Sequence, residues 1–334
     1  MDNQLALIGH RFVISWFGLF CAVGCLLGIM MACVIRGTQK KAVRDVFATV
    51  TFAVPLALVL ARAQYCLFAS DHFTDVGQMM RIVNGGYGLF GGMLGVLAAA
   101  LLVRYAFQPE EWGGLLDGLS LGGALAIAVG RFATGFTGAE TGYEVPFSVM
   151  TVYDREQDLH VLAVYMLDGF YEAAVLAVCL FYYIFIRVRG NKSACGGLTA
   201  LLMVALHGTN QVIMDSMRSD ALKLGANDFI KISQIAGVVC CVAVAAAFMV
   251  KSVKRSRFRL ADMAAIAVIA ACVGLGVAAE WRVGNGNYIS KHILMLACML
   301  VLGAVTFVYG CKAAGVDAAL TASKKTDSLT AAGE

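Results

Sequence analysis

No CxxC pair and no paired histidines accompany the eleven cysteines of this chain. A structural metal site or a catalytic thiol is therefore not indicated, and Cys21, Cys25, Cys33, Cys66, Cys179, Cys240, Cys241, Cys272 and Cys298, all inside apolar runs, read as small core hydrophobes. The sequence also has no glycine-rich nucleotide loop and no metal-ligand cluster, so no cofactor is implied. It shows no internal repeat, which leaves a transporter of inverted halves without support. Charge is scarce: Asp, Glu, Lys and Arg make up 14% of the chain, and the net +4 comes mainly from connections between apolar runs. That excess reads as topology and contact with anionic membrane lipid, with no nucleic-acid patch.

What is present is apolar length. Hydrophobic residues are 60% of the 334, with only three prolines among them, far more than the core of a soluble domain this size requires. Runs of about 20 residues recur near 12–35, 45–69, 87–107, 115–136, 165–187, 196–217, 232–250, 261–280 and 292–311, and each is long enough to cross a roughly 30 Å hydrocarbon layer as a helix. The expected fold is thus an all-α, polytopic membrane helix bundle of nine spans. The first run is too long for a signal peptide, lacks a small-residue cleavage site and is followed by further spans. Basic residues mark alternate connections, at Arg36 to Arg44, Arg187 to Lys192, Lys251 to Arg259 and the tail Lys312, Lys324 and Lys325. By the positive-inside rule these are cytoplasmic, which puts the N-terminus outside and the C-terminus inside. The acidic QPEEW connection is the weakest inside assignment. After the basic stretch ending at Arg259 the chain divides: residues 1–255 form a seven-span unit holding every unusual polar group, 256–315 two further transmembrane helices, and 316–334 a small, polar tail expected to be disordered.

Charges inside bilayer-length apolar sequence cost roughly 2.5 to 3.5 kcal/mol each at a helix centre and so mark working positions. Asp117, Arg131 and Glu140 stand out, and all are read toward the outer half. Arg131 follows Asp117 by fourteen residues, about four turns, so the two share a helix face but lie ~21 Å apart and do not pair. A planar guanidinium suits a phosphodiester through paired hydrogen bonds, and Arg218, in IMDSMRSD, is a second one at the same depth. Two arginines converging on one outward cavity resemble a phospholipid headgroup clamp; two interfacial arginines snorkelling to lipid phosphates are the plainer alternative. Gly85 to Gly95 is glycine-rich and fits close helix packing, with Gly91 and Gly95 at GxxxG spacing. Arg62 is expected to pair with a buried carboxylate. Tyr171, Glu172 and Asp215 add polar groups to spans five and six, and His207, alone deep in a span, is a candidate proton acceptor as well as an ordinary hydrogen-bonded core histidine.

These segments together resemble the bacterial prolipoprotein diacylglyceryl transferase family over roughly residues 12–255. The pieces are WFGL (16–19), ARAQYCLF (61–68), RIVNGGYGLFGGMLG (81–95), GRFATGFTGAE (130–140), FYE (170–172), HGTNQVIMDSMRSD (207–220) and Gln234. The resemblance implies a plasma-membrane enzyme, its site toward the outer face. Such an enzyme moves the diacylglyceryl group of phosphatidylglycerol to the lipobox cysteine thiol in a prolipoprotein signal peptide and releases glycerol phosphate. It implies Arg131 and Arg218 for phosphate binding and leaving-group stabilisation, Glu140 for organising the outer mouth and Asp117 for an orienting role at the substrate, with Gly91, Gly92, Tyr171 and Glu172 expected to hold substrate; His207, which departs from the family, is a candidate to take over proton handling. Several family positions are changed. Phe90 stands in place of the histidine of HGG, Phe17 in place of the tyrosine of WYGL, and Met166 and Leu167 in place of HP. Both asparagines after the first arginine are lost, His207 replaces a tyrosine, Gln211 replaces a frequent arginine, and Glu140 falls nine residues after Arg131 instead of eight. Glu140 then requires a loop insertion, because one residue on a helix rotates a side chain by ~100°. The changes leave open a relative that binds phospholipid but has lost or altered its chemistry.

Overall fold

The computed structural model describes residues 4–8, 12–69, 73, 75–81, 85–145, 148–154, 158–189, 196–223, 231–281 and 288–316. The expected polar tail lies almost wholly outside the described residues. The chain opens with an antiparallel hairpin, β1 (Gln4–Ile8) and β2 (Phe12–Ser15), and continues into α1 (Trp16–Thr38), α2 (Arg44–Phe68), the five-residue α3 (Val76–Met80), α4 (Leu89–Phe107) and α5 (Trp112–Ala133). A second antiparallel hairpin, β3 (Thr151–Asp154) and β4 (Leu159–Leu162), precedes α6 (Val164–Arg189), α7 (Leu198–Met217), α8 (Ile232–Arg255), α9 (Leu260–Trp281) and α10 (Tyr288–Ala314). Among the described residues the protein is an all-α bundle with two small hairpins, and its nine long helices match the nine apolar runs. The first helix starts at Trp16, where Ser15 accepts the Gly18 N–H at 3.0 Å and closes the helix start.

Eight of the nine helices are long and apolar enough to cross a membrane; α7 is too polar to qualify by composition. Its geometry places it among them. Its amino end meets the start of α5, where Asp117 accepts the N–H groups of Gly197 and Ala200, each at 3.0 Å. Its other end meets the last turn of α5 through Arg131 and Gln211. It therefore runs parallel to α5 through the same thickness, enclosed by α5, α6, α8 and α10. A polar helix is tolerated there because the neighbouring helices satisfy its side chains.

Packing relies on small residues, as expected where lipid offers no hydrophobic drive for helix association. On α1 and α5, Gly28 and Gly122 meet backbone to backbone: a Cβ on either would lie 2.4 or 2.2 Å from the other's carbonyl oxygen. Gly91 and Gly95 of α4 lie against the backbone of α2 in the same way. Bulky side chains fill the interior where α6, α7, α8 and α10 converge, with Tyr182, Leu202, Ile213, Phe248, Met299 and Leu302 all buried. The outward faces are rich in exposed Leu, Val, Phe and Met, among them Leu26, Met30, Val34, Val54, Leu94 and Phe181, a surface suited to acyl chains.

The bundle has two distinct ends. At one, Arg36 is fully buried, pairs with Asp45 at 3.0 Å and donates to the carbonyls of Glu110 (2.6 Å) and Glu111 (3.4 Å). The QPEEW connection thus sits on the same side as the basic α1–α2 connection. Lys41 pairs with Glu110 at 2.7 Å, which lowers the glutamate's pKa and raises the lysine's. At the other end lie Arg131, Glu140 and Arg218. Asp117 belongs to the Arg36 end, so the expectation that every unusual charge gathers in one half is corrected. Sharing a face with Arg131 says nothing about depth along it.

A candidate active site with two arginines in one chamber

Arg131 lies in the last turn of α5, where a cation complements the helix dipole. Its guanidinium is satisfied in three directions. Nε lies 2.9 Å from Asp168 Oδ2 on α6, one terminal nitrogen 2.5 Å from Glu140 Oε1, and the other donates to Gln211 Oε1 on α7 at 3.2 Å. Arg218 is the residue at which α7 ends and the backbone turns extended. Its Nη1 lies 3.0 Å from the same Glu140 oxygen and 3.6 Å from Asp215, and its Nε donates to Asp220 at 2.9 Å. One carboxylate oxygen therefore joins both arginines.

Glu140 reaches that position through a turn. After Ala133 the chain makes a 3-10 turn, Thr134–Phe136, then passes through Gly138 and Glu140, both with positive φ (72° and 58°). The nine-residue spacing from Arg131 thus raises no helical phase problem, because Glu140 is no longer on the helix. Its N–H donates to Asp220 at 3.2 Å, its carbonyl accepts from the Tyr165 N–H at 3.2 Å, and Gly142 pairs with Arg218 as an antiparallel bridge. Nearby, Trp16 and Phe20 stack on Phe136.

Arg131, Glu140, Gln211, Asp215, Arg218, Asp220 and Lys223 line one chamber of about 400 Å³, closed on the other side by Gln64, Tyr65, Tyr87 and Gly88. Three cations and three carboxylates make its formal charge neutral. Burial pushes the Asp220 carboxyl up, but the hydrogen bond and charge of Arg218 outweigh it and hold the group below the ordinary aspartate range.

Of the remaining expected site residues, none lines this chamber. His207 is fully buried, with Nδ1 2.5 Å from Glu172 Oε1 and its ring 5.6 Å, centre to centre, from Phe90. Glu172 also accepts from Asn210 Nδ2 at 2.7 Å, and the same nitrogen donates to Asp168 at 2.6 Å. A continuous buried path therefore runs His207, Glu172, Asn210, Asp168, Arg131. Tyr171 shares a hydrogen bond with Thr209 at 3.2 Å. Gly91 is a packing glycine whose N–H donates to Gln64, and Gly92 faces Ala61. Asp117 holds the amino end of α7, as described above. Among the described residues Arg62 has no carboxylate partner; its guanidinium donates to the carbonyls of Met79 (3.0 Å) and Gln78 (3.2 Å) in α3 and to those of Gly86 (3.1 Å) and Gly85, which the positive-φ turn at these two glycines presents. Sequence reasoning passed over Asp168 and Asn210. Asp168 stands one helical turn before Glu172, and an i, i+4 acidic pair inside an apolar span was the available signal.

Fold and site define an integral-membrane protein with a chamber walled by two arginines at one end of its bundle. The sequence profile of prolipoprotein diacylglyceryl transferase matches residues 4–250, and the chain belongs to that family. It is similar to the phosphatidylglycerol-prolipoprotein diacylglyceryl transferase of Bacillus velezensis, with 26% identity over 69% of this chain and 84% of that protein. The proteins of the same name from Finegoldia magna (24%, over 69% and 88%) and Bacillus licheniformis (24%, over 73% and 90%) align over similar lengths.

Proposed function

We propose that the chain transfers the diacylglyceryl group of phosphatidylglycerol to the lipobox cysteine thiol of a prolipoprotein, in the plasma membrane, with the chamber open to the outer face. The observation that carries this reading is the pair of guanidiniums joined on one carboxylate oxygen in a single 400 Å³ chamber, a volume suited to a polar headgroup.

In the reaction, the thiol sulfur bonds to the glycerol carbon of the diacylglyceryl group. The carbon–oxygen bond to phosphate breaks, and its electron pair leaves on glycerol phosphate. Arg131 and Arg218 bind the phosphate and stabilise the charge that builds on the departing oxygen. Before the lipid arrives, Glu140 sets the spacing of the two forks. Loss of the thiol proton is promoted by the lowered pKa of a thiol beside the Arg131 and Arg218 guanidiniums. His207 and Glu172 act at a distance, holding Asp168 and through it the Nε of Arg131. Asp117, Gly91, Gly92 and Tyr171 support helices and do not touch the lipid.

The test is transfer to a lipobox peptide in proteoliposomes containing phosphatidylglycerol, with released glycerol phosphate measured in parallel. The unmodified chain should yield both products, and Arg131→Ala and Arg218→Ala should each abolish them. Lipid binding without any product from the unmodified chain would overturn the transferase reading in favour of a phospholipid-binding relative.

A further inference from the structure

The family match ends at residue 250, yet the helices beyond it reach the site. At its carboxyl end α7 leaves its last carbonyls without helical partners, in the negative field of its dipole. Lys231, just before α8 and almost fully buried, supplies the missing donors: its ammonium donates to the carbonyls of Asp215, Ser216 (3.1 Å) and Arg218 (3.4 Å). A buried ammonium needs an anion. Among the described residues Glu280, in the last turn of α9, pairs with it, its Oε1 lying 3.9 Å away. The other oxygen of Glu280 accepts the Ser216 hydroxyl at 2.5 Å, and the Ser216 oxygen lies 3.1 Å from Nε2 of His292, in the second turn of α10. Because the single Ser216 hydrogen is committed to Glu280, Nε2 of His292 is the donor. Both helices of the hairpin therefore hold the last turn of α7, two residues before the arginine that clamps Glu140.

We infer that the α9–α10 hairpin is a working part of the site. Glu280 and His292 are positioning residues that, through Ser216 and Lys231, fix the end of α7 and so the direction in which Arg218 enters the chamber. The inference rests on the role proposed above for Arg218. It does not rest on turnover, because lipid binding reads the same geometry.

Its test compares two ends of one hairpin in the full-length protein. Tyr309→Phe removes the 2.6 Å bond to Asp262 at the far end of α9 and α10 and leaves the α7 contacts intact. Glu280→Ala is expected to weaken binding of a soluble short-chain phosphatidylglycerol about tenfold and to lower kcat by tenfold or more, as displacement of a positioned group by about 1 Å does. Glu280→Gln, which still accepts from Ser216, should recover part of both. Tyr309→Phe should change neither by more than twofold. In a double-mutant cycle on lipid binding, Glu280→Ala should have little further effect once Arg218 is alanine, since the two act as one unit. Additive losses, or equal effects of Glu280→Ala and Tyr309→Phe, would show that the hairpin only stabilises the bundle. If Glu280→Ala does not fold, Ser216→Ala and Glu280→Gln carry the same comparison. A chain that binds lipid but transfers none fails the proposed function while leaving the binding cycle to decide this one.

Discussion

Replacing Arg131 by lysine separates charge from geometry at the clamp. The arginine uses Nε toward Asp168, one terminal nitrogen toward Glu140 and the other toward Gln211, at 2.9, 2.5 and 3.2 Å, and these acceptors come from three different segments of chain. A lysine ammonium keeps the charge but is a single point; it cannot serve all three directions at once. Losing at least one hydrogen bond to a charged partner should cost about 1.5–3 kcal/mol of stability, well short of the roughly 3–5 kcal/mol expected when alanine leaves the buried Asp168 without its cation, Glu140 still keeping Arg218. The effect on turnover should be larger in proportion. Removing one preorganised donor from a developing oxyanion lowers kcat by about 10²–10³, or about 2.7–4 kcal/mol. The assay is kcat and KM for lipobox-peptide modification in proteoliposomes, with thermal unfolding in detergent as the folding control. If Arg131→Lys folds and its kcat stays within threefold of the parent's, a diffuse positive field is sufficient and the bidentate reasoning is refuted.

Asp117→Ala tests whether that residue caps α7 or touches substrate: the melting temperature should fall by the equivalent of about 0.5–2 kcal/mol while KM for lipid stays unchanged, and a selective rise in KM would reverse the assignment. Gly122→Val forces a side chain onto the Gly28 carbonyl and should cost about 1–3 kcal/mol, read by thermal unfolding, with loss of the folded band in size-exclusion chromatography as the extreme result. Glu172→Ala leaves His207 and Asn210 without their shared acceptor and should destabilise the bundle by about 3–5 kcal/mol, whereas Glu172→Gln should cost less. Asp220 has a depressed pKa in the folded chain, so its contribution is present above the unfolded value near 3.9 and is lost as pH falls below that through the folded value. Asp220→Asn should therefore cost no more than about 1 kcal/mol at pH 7, the group being partly exposed, and its melting curve should converge on the parent's as the pH is taken below about 4.

The spans were legible because a helix that crosses a bilayer must carry its whole length as apolar residues, and that requirement leaves little else for those positions to encode. Even α7 could be found, since its polar residues interrupt an apolar run of the right length. Pairing between spans has no such signature. Asp117 and Arg131 share a face of α5, and the sequence fixes their separation along the axis, yet only the neighbouring helix ends decide that one caps α7 and the other clamps Glu140. The bond from Arg62 to backbone carbonyls was equally hidden, because it depends on a turn at Gly85 and Gly86 rather than on any complementary side chain. Ser216, Lys231, Glu280 and His292 look unremarkable one by one: each sits at or near a helix end, where polar residues are expected. Their meaning comes from four segments arriving at one place.

That convergence also bears on how one chamber can hold two arginines. Uncompensated guanidiniums in a low-dielectric wall would repel one another and carry a desolvation cost, so the folded chain meets them with carboxylates, three lining the chamber and Asp168 behind Arg131. An arriving phosphodiester adds a negative charge to a site already balanced. It gains by exchange, taking over guanidinium hydrogens that Glu140 and Asp220 hold at rest. Glu140 is well placed for such an exchange, standing on a turn after α5 and binding both forks through a single oxygen, with its second oxygen buried and, among the described residues, without a hydrogen-bond partner. Asp168 is not, since it is fixed on α6 by Asn210 and holds the Nε of Arg131, a nitrogen that does not contact the shared oxygen. On this reading the two carboxylates of Arg131 divide the work: one keeps the arginine in place, and the other yields to the lipid.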